Sequence, residues 1–358
     1  MKTKLALTAL GLALALTGCK SIGPRTIPRD RAEYSDSISD SWKRQTLLNI
    51  VKLRYFDPPI FVDVGQIVAG YSFETSVNAG GQVSSANAIQ GNSTIFGGSA
   101  KFTDRPTVTY VPLTGNKFVK SLMTPLPPES VFSMIQAGWP ADAVLFAAAA
   151  SINGLKNQQT SVAGTLPPEP EFLRAIQLLR KIQLSGGVAL RIQKDVQKNE
   201  TMLMTFRREN IAPEALADSA ELRRLLRLSS DATEFKLVFG EMAINDQEVA
   251  VLTRSILQLM HTMAAQVEVP AKDLAEKRVP PGWESVTWPE GSPRIIEVHS
   301  AESNPPDAFV AVKYRGHWFS IDDRDLKSKR AFSFMMMLFT LADSGVKESM
   351  PLITIPAQ

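Results

Sequence analysis

Side chains able to act as nucleophiles, bases or metal ligands are few in this chain. Its 358 residues include one cysteine, Cys19, and three histidines, His261, His299 and His317. No histidine has a second at i+3 or i+4, so the helical pair that binds zinc is missing. His299 and His317 fall on predicted strands that can be neighbours, which leaves a two-histidine site open. Asp322-Asp323-Arg324-Asp325 is the densest acidic run. Three carboxylates suit a hard cation. Between a strand and a helix they also make a turn and an N-cap at the positive helix end, and this second reading is the favoured one. No Gly-x-Ser-x-Gly elbow occurs. Gly80-Gly81 and Gly97-Gly98 lack the spacing of a dinucleotide or Walker loop. These patterns lead to the expectation of no metal and no cofactor.

Cys19 is set in a different context. It closes Leu16-Thr17-Gly18-Cys19, behind Lys2, Lys4 and an apolar run from Leu5 to Leu16. A basic flank, a short apolar stretch and a small-residue cleavage site make a secretory signal over residues 1–18. The stretch is shorter than the roughly 20 residues of a membrane-spanning helix. Leu16 to Cys19 resembles the lipobox of bacterial lipoproteins. That resemblance implies cleavage before Cys19 and acylation of its thiol and new amino group with palmitate-like chains. Each buried CH₂ adds about 0.8 kcal/mol, so several chains on one residue hold far more firmly than one. In that class an aspartate after the cysteine marks inner-membrane retention. Lys20 therefore implies the outer membrane; that the body faces the periplasm is a separate expectation, which Lys20 does not decide.

The formal net charge is +3, and two of the basic residues, Lys2 and Lys4, leave with the leader. No basic stretch interleaved with aromatics occurs, so nucleic acid is not an expected partner. An oxidising compartment permits disulfides, but there is no second cysteine, and the fold must stand on its core. The remaining length is enough for one large or two smaller domains.

Residues 19–34, with Pro24, Pro28 and alternating charges, read as a lipidated tether. Residues 35–157 read as an N-terminal part and residues 158–358 as a C-terminal α+β part. A helix is predicted from Asp36 or Ser37 to about Tyr55, ended by Asp57-Pro58-Pro59. Ala141 to Ile152 reads as a buried helix. Glu171 to Leu184, Pro213 to Leu228 and Leu326 to Ala342 read as helices, with Arg223, Arg224 and Arg227 on the exposed side of the second. Asp246 to Gln266 reads as one long helix. Strands are predicted at Val188–Ile192, Met202–Phe206, Phe235–Phe239, Ile295–His299, Phe309–Tyr314, His317–Ile321 and Leu352–Ile355. Met335-Met336-Met337 reads as core. Hairpins interspersed with helices predict an α+β fold, mainly antiparallel.

The most unusual stretch is 66–111. Thr75 to Ala100 contains no charged residue and is rich in Gly, Ser, Asn and Ala. Tyr71, Phe73 and Val77 alternate with polar residues on one arm, as do Phe96 and Phe102 on the other. Two alternating arms around such a tip predict a long β-hairpin. It can be a surface loop, a strand-pairing element between subunits, or a pair of strands lent to a membrane barrel.

Ser41-Trp42 to Val64, Asp104-Arg105-Pro106-Thr107 to Gly115, Pro127 to Pro140 and Ile321 to Phe339 resemble a group of uncharacterised proteobacterial envelope lipoproteins. The resemblance carries a role to Cys19 alone. The leading expectation is a lipid-anchored outer-membrane protein with a non-catalytic structural or assembly role, through a protein partner or as a homo-oligomer. A homo-oligomeric pore or export channel subunit is one alternative. An envelope hydrolase is another, since active sites assemble in space.

Overall fold

The computed structural model describes residues 23–68, 70–82, 93–161, 164–194, 200–209 and 211–342. Cys19, the leader and the predicted strand at Leu352–Ile355 lie outside them. The fold is α+β with mostly antiparallel sheets. Contacts divide the chain into two units, Met1–Ser41 with Val62–Pro112, and Trp42–Phe61 with Leu113–Gln358.

The first unit carries most of helix α1 (Gly23–Arg54) and four strands. These are β1 (Phe61–Val68), β2 (Tyr71–Gln82), β3 (Ser93–Asp104) and β4 (Thr107–Leu113). Strand β1 pairs with β4, and β2 with β3. In the segment 19–34, expected as a tether, residues from Gly23 on are helical. The charges read as tether-like face one another along the helix: Arg29 lies 3.9 Å from Glu33 at i,i+4. Pairs at this spacing support a solvent-exposed helix.

The second unit is built on a six-stranded sheet in the order β6-β5-β12-β11-β10-β9. Its strands are β5 (Ala149–Ile152), β6 (Leu155–Lys156), β9 (Val188–Lys194), β10 (Glu200–Phe206), β11 (Glu234–Phe239) and β12 (Glu248–Thr253). Only β11 and β12 run parallel. A small ladder joins β7 (Gln159–Ser161) to β8 (Gly164–Leu166). A three-stranded sheet orders β13 (His299–Ala301), β15 (His317–Asp322) and β14 (Ala308–Tyr314).

The helices are α2 (Asn116–Met123), α3 (Pro128–Gln136), α4 (Ala141–Ala148), α5 (Pro170–Leu184), α6 (Pro213–Leu225), α7 (Ile256–Ala264), α8 (Ala271–Ala275) and α9 (Leu326–Ala342). Their apolar faces follow the helical period. In α5, Phe172, Leu173, Ile176, Leu179 and Ile182 are buried. That helix ends where Gly186 takes φ 69°, a conformation that only glycine adopts without strain.

Three expectations are corrected. The boundary at residue 157 does not divide a fold, because β5 and β6 before it share a sheet with β9 to β12 after it. The helix over Ala141 to Ile152 stops at Ala148, and Ala149–Ile152 is a strand. The single helix over Asp246 to Gln266 is a strand, β12, followed by α7. Strand β12 lies inside the sheet and is buried at Val249, Ala250, Val251 and Thr253. A strand covered on both faces reads as a continuous apolar run, which periodicity cannot separate from a helix.

Candidate assembly surface

Within the stretch 66–111 the described residues include a ladder of two strands. Strands β2 and β3 pair antiparallel without a break from Tyr71↔Asp104 to Gln82↔Ser93. Its Gly/Ser/Asn-rich tip, residues 83–92, lies outside the described residues. Because strand positions alternate between faces, this register sorts the residues. Tyr71, Phe73, Thr75, Val77 and Ala79 share one face with their partners Asp104, Phe102, Ala100, Gly98 and Phe96. The five candidate residues, Tyr71, Phe73, Val77, Phe96 and Phe102, thus occupy one face. The other face holds Ser72, Glu74, Ser76 and Asn78 opposite Thr103, Lys101, Ser99 and Gly97. Glu74 and Lys101 stand directly across from one another, and the Ser76 and Ser99 hydroxyls hydrogen-bond at 2.7 Å.

The base of the ladder is tied to α1. The Tyr71 hydroxyl donates to Asp30 Oδ2 at 2.6 Å, and the Tyr71 ring stacks on Phe102 with centroids 6.0 Å apart. Beyond that point several described positions of the two strand pairs are exposed. Phe102 is 53% exposed and Tyr110 64%, and Val68, Val108 and Val111 are exposed as well. Strand β4 is exposed from Thr107 to Pro112, on both of its faces. Among the described residues no third strand pairs with β2 and β3, or with β1 and β4. Among the described residues each pair therefore has outer edges with no strand beside them, and such edges are the template that edge pairing uses.

The other sequence candidates are placed in the second unit. His299 lies on β13 with Nδ1 3.0 Å from Glu268 Oε2, and His317 lies on β15 opposite Tyr314. Among the described residues no group of three His, Cys, Asp or Glu side chains converges on one point. Asp325 caps α9, accepting from the backbone N–H groups of Lys327 at 3.1 Å and Ser328 at 3.0 Å. Burial works against its charge, but the bonds from Ser328 and Lys327 outweigh it and hold the carboxyl below its ordinary range. Met335 is buried, while Met337 is exposed. Arg223 is not an exposed arginine. It is buried, stacks over Phe206 and Phe235, and donates to Ser230 O.

Sequence reasoning gave no hint of the buried polar groups. Arg254 is buried with no acid beside it, and burial lowers its pKa to about 10, so it stays protonated at neutral pH. Its Nη1 donates to Phe146 O and Ala147 O at 2.8 Å, its Nη2 to Gln158 O, and its backbone N–H to Ala148 O. The end of α4 is buried, and its last carbonyls have no partner within the helix; Arg254 supplies three of their donors. Tyr55 donates to buried Asp273 at 2.7 Å, and burial raises the pKa of that hydroxyl. Burial also pulls His261 down, so it is neutral at pH 7. Arg254 and Tyr55 are packed and paired as parts of the fold. No protein family matches the chain, and neither a curated protein nor a solved structure does.

Proposed function

We propose that this chain is an outer-membrane lipoprotein, anchored through acylated Cys19, whose body faces the periplasm and has a non-catalytic assembly role. The observation that carries the assembly part is the ribbon of β2–β3 and β1–β4. It is only two strands wide among the described residues, and β4 is exposed on both faces. Two-stranded hairpins are marginal in water and gain stability from a third strand or a covering surface. Exposed Phe102, Tyr110 and Val111 offer apolar area to such a cover. Pairing with a second copy, or with a partner's strand, supplies both the missing bonds and the missing burial.

A second reading is favoured by the register. Each arm of β2–β3 has twelve residues, about 40 Å at the usual rise. A tilted membrane strand needs about 9–11 residues. Glu74 and Lys101 fall on one face, and Phe73, Val77, Phe96 and Phe102 on the other, with Asp104 at the base of that face opposite Tyr71. Polar-in and apolar-out is the arrangement of a barrel strand pair. In this reading each subunit lends two strands to a pore.

Three experiments test these readings. Labelled palmitate should enter the full chain and not Cys19→Ser; equal labelling would remove the anchor. A bismaleimide added to envelopes carrying Ser99→Cys should link that position to a second chain, and a product of monomer mass alone would refute ribbon pairing. An environment-sensitive dye at Ala100→Cys should shift to the blue with vesicles only if the strands enter lipid.

A further inference from the structure

The second unit contains a cavity unrelated to the ribbon. It has a volume of about 220 Å³ and lies among α4, α5, α9 and the segment Gly291–Ile295. Val144, Phe146, Leu173, Ile176, Ile295 and Phe334 give it apolar walls. An apolar cavity of about 150 Å³ holds a benzene ring, so this one has room for a ring or a short chain.

Its charged lining is lopsided. Three cations, Arg294, Lys327 and Arg330, stand against one carboxylate, Asp142. Arg294 is held by Glu284 at 3.0 Å and lies over the Trp283 ring. No hydrogen bond or ion pair engages the side-chain nitrogens of Lys327 or Arg330 among the described residues. They are exposed and lie one turn apart on α9. Asp142, on α4, has Oδ1 buried without a hydrogen-bond partner, 4.0 Å from Arg180 Nε. The acid and these two cations are thus on different elements, and Lys327 also acts on the Asp325 carboxylate beside it.

We infer that this cavity binds a small organic anion: an apolar body seated between α4, α5 and α9, with a carboxylate held by Lys327 and Arg330. The walls supply the affinity that area burial gives. The cations supply the selection, because a carboxylate gains charge-assisted bonds there and an amine meets repulsion. A full membrane lipid is too large for the space. Asp142 disfavours the anion, so its neutralisation strengthens binding.

The test uses three ligands with one apolar body: 4-phenylbutanoate, 4-phenylbutan-1-ol and 4-phenylbutylamine. Each is titrated calorimetrically into the full chain in mild detergent, with detergent alone as blank. The acid is expected to bind one to one, at least tenfold tighter than the alcohol, with the amine weakest. Lys327→Glu/Arg330→Glu alters only exposed positions and is expected to lose at least tenfold in acid affinity, with the alcohol unchanged. Asp142→Asn is expected to gain a few-fold for the acid. Ala331→Trp is expected to abolish binding of acid and alcohol alike. No saturable binding of the acid would overturn the inference. So would equal affinity for acid and alcohol, or full acid affinity in the charge-reversed variant.

Discussion

Arg254 shows how one residue holds an element in place. Its guanidinium and backbone N–H answer three carbonyls at the buried end of α4, and a cation there also suits the negative end of the helix. Arg254→Met fills similar volume but leaves acceptors without donors, at about 1–3 kcal/mol for each that finds no other partner. We predict a loss of about 3 kcal/mol in urea unfolding; an unchanged midpoint would show that the carbonyls find other donors. Asp325 gives a pH signature. Its folded pKa lies below the ordinary value, so it contributes stability above the carboxylate range and loses it as pH falls through the folded value. Asp325→Asn keeps a capping side chain and removes that linkage. The melting-temperature advantage of the native chain over Asp325→Asn is therefore predicted to shrink on acidification, and a gap constant from pH 7 to acid would contradict the cap's charge. The cap was legible because Asp325 follows a strand and precedes an apolar helix. Arg254 was not, since nothing in its neighbours announces that residues 146 and 158 will meet it.

At the scale of elements, local chemistry was readable where turns and periods agree. Strands β2 and β3 fall where the residues alternate, and Arg315-Gly316, with φ 47° and 89°, makes the tight turn between β14 and β15. The reading failed where an apolar run had no period. Asn153-Gly154, with φ 45° and 85°, is the hairpin signal that would have separated β5 from α4. Thr253-Arg254-Ser255 marks the break between β12 and α7. There the Ser255 hydroxyl accepts from Gln258 N, and the Gln258 side chain accepts from Ser255 N. Ser255→Ala is predicted to cost about 1 kcal/mol. In a unit this large that is a fall of roughly 2–4 °C in melting temperature, and no change would mean that tertiary packing alone starts α7.

For the whole molecule, the second unit has a continuous core with buried polar groups such as Arg254 and Tyr55 paired inside it, while among the described residues the ribbon in the first has neither a third strand nor a covered β4. The charge-free composition of 75–100 pointed to this ribbon, but not to which face carries Glu74 and Lys101; register decides that, and register is set by the turn and ladder together. If the ribbon is where copies meet, the protein's behaviour is set by its assembly, and its stability depends on concentration. The most direct measurement is the native mass of the acylated chain in mild detergent, by light scattering, beside Phe102→Lys/Tyr110→Lys. Both side chains are exposed, so the substitutions leave the core intact. The account predicts a closed oligomer for the native chain and a monomer for the variant. A native chain that is monomeric without a partner, or an oligomer that the two lysines leave unchanged, would contradict it.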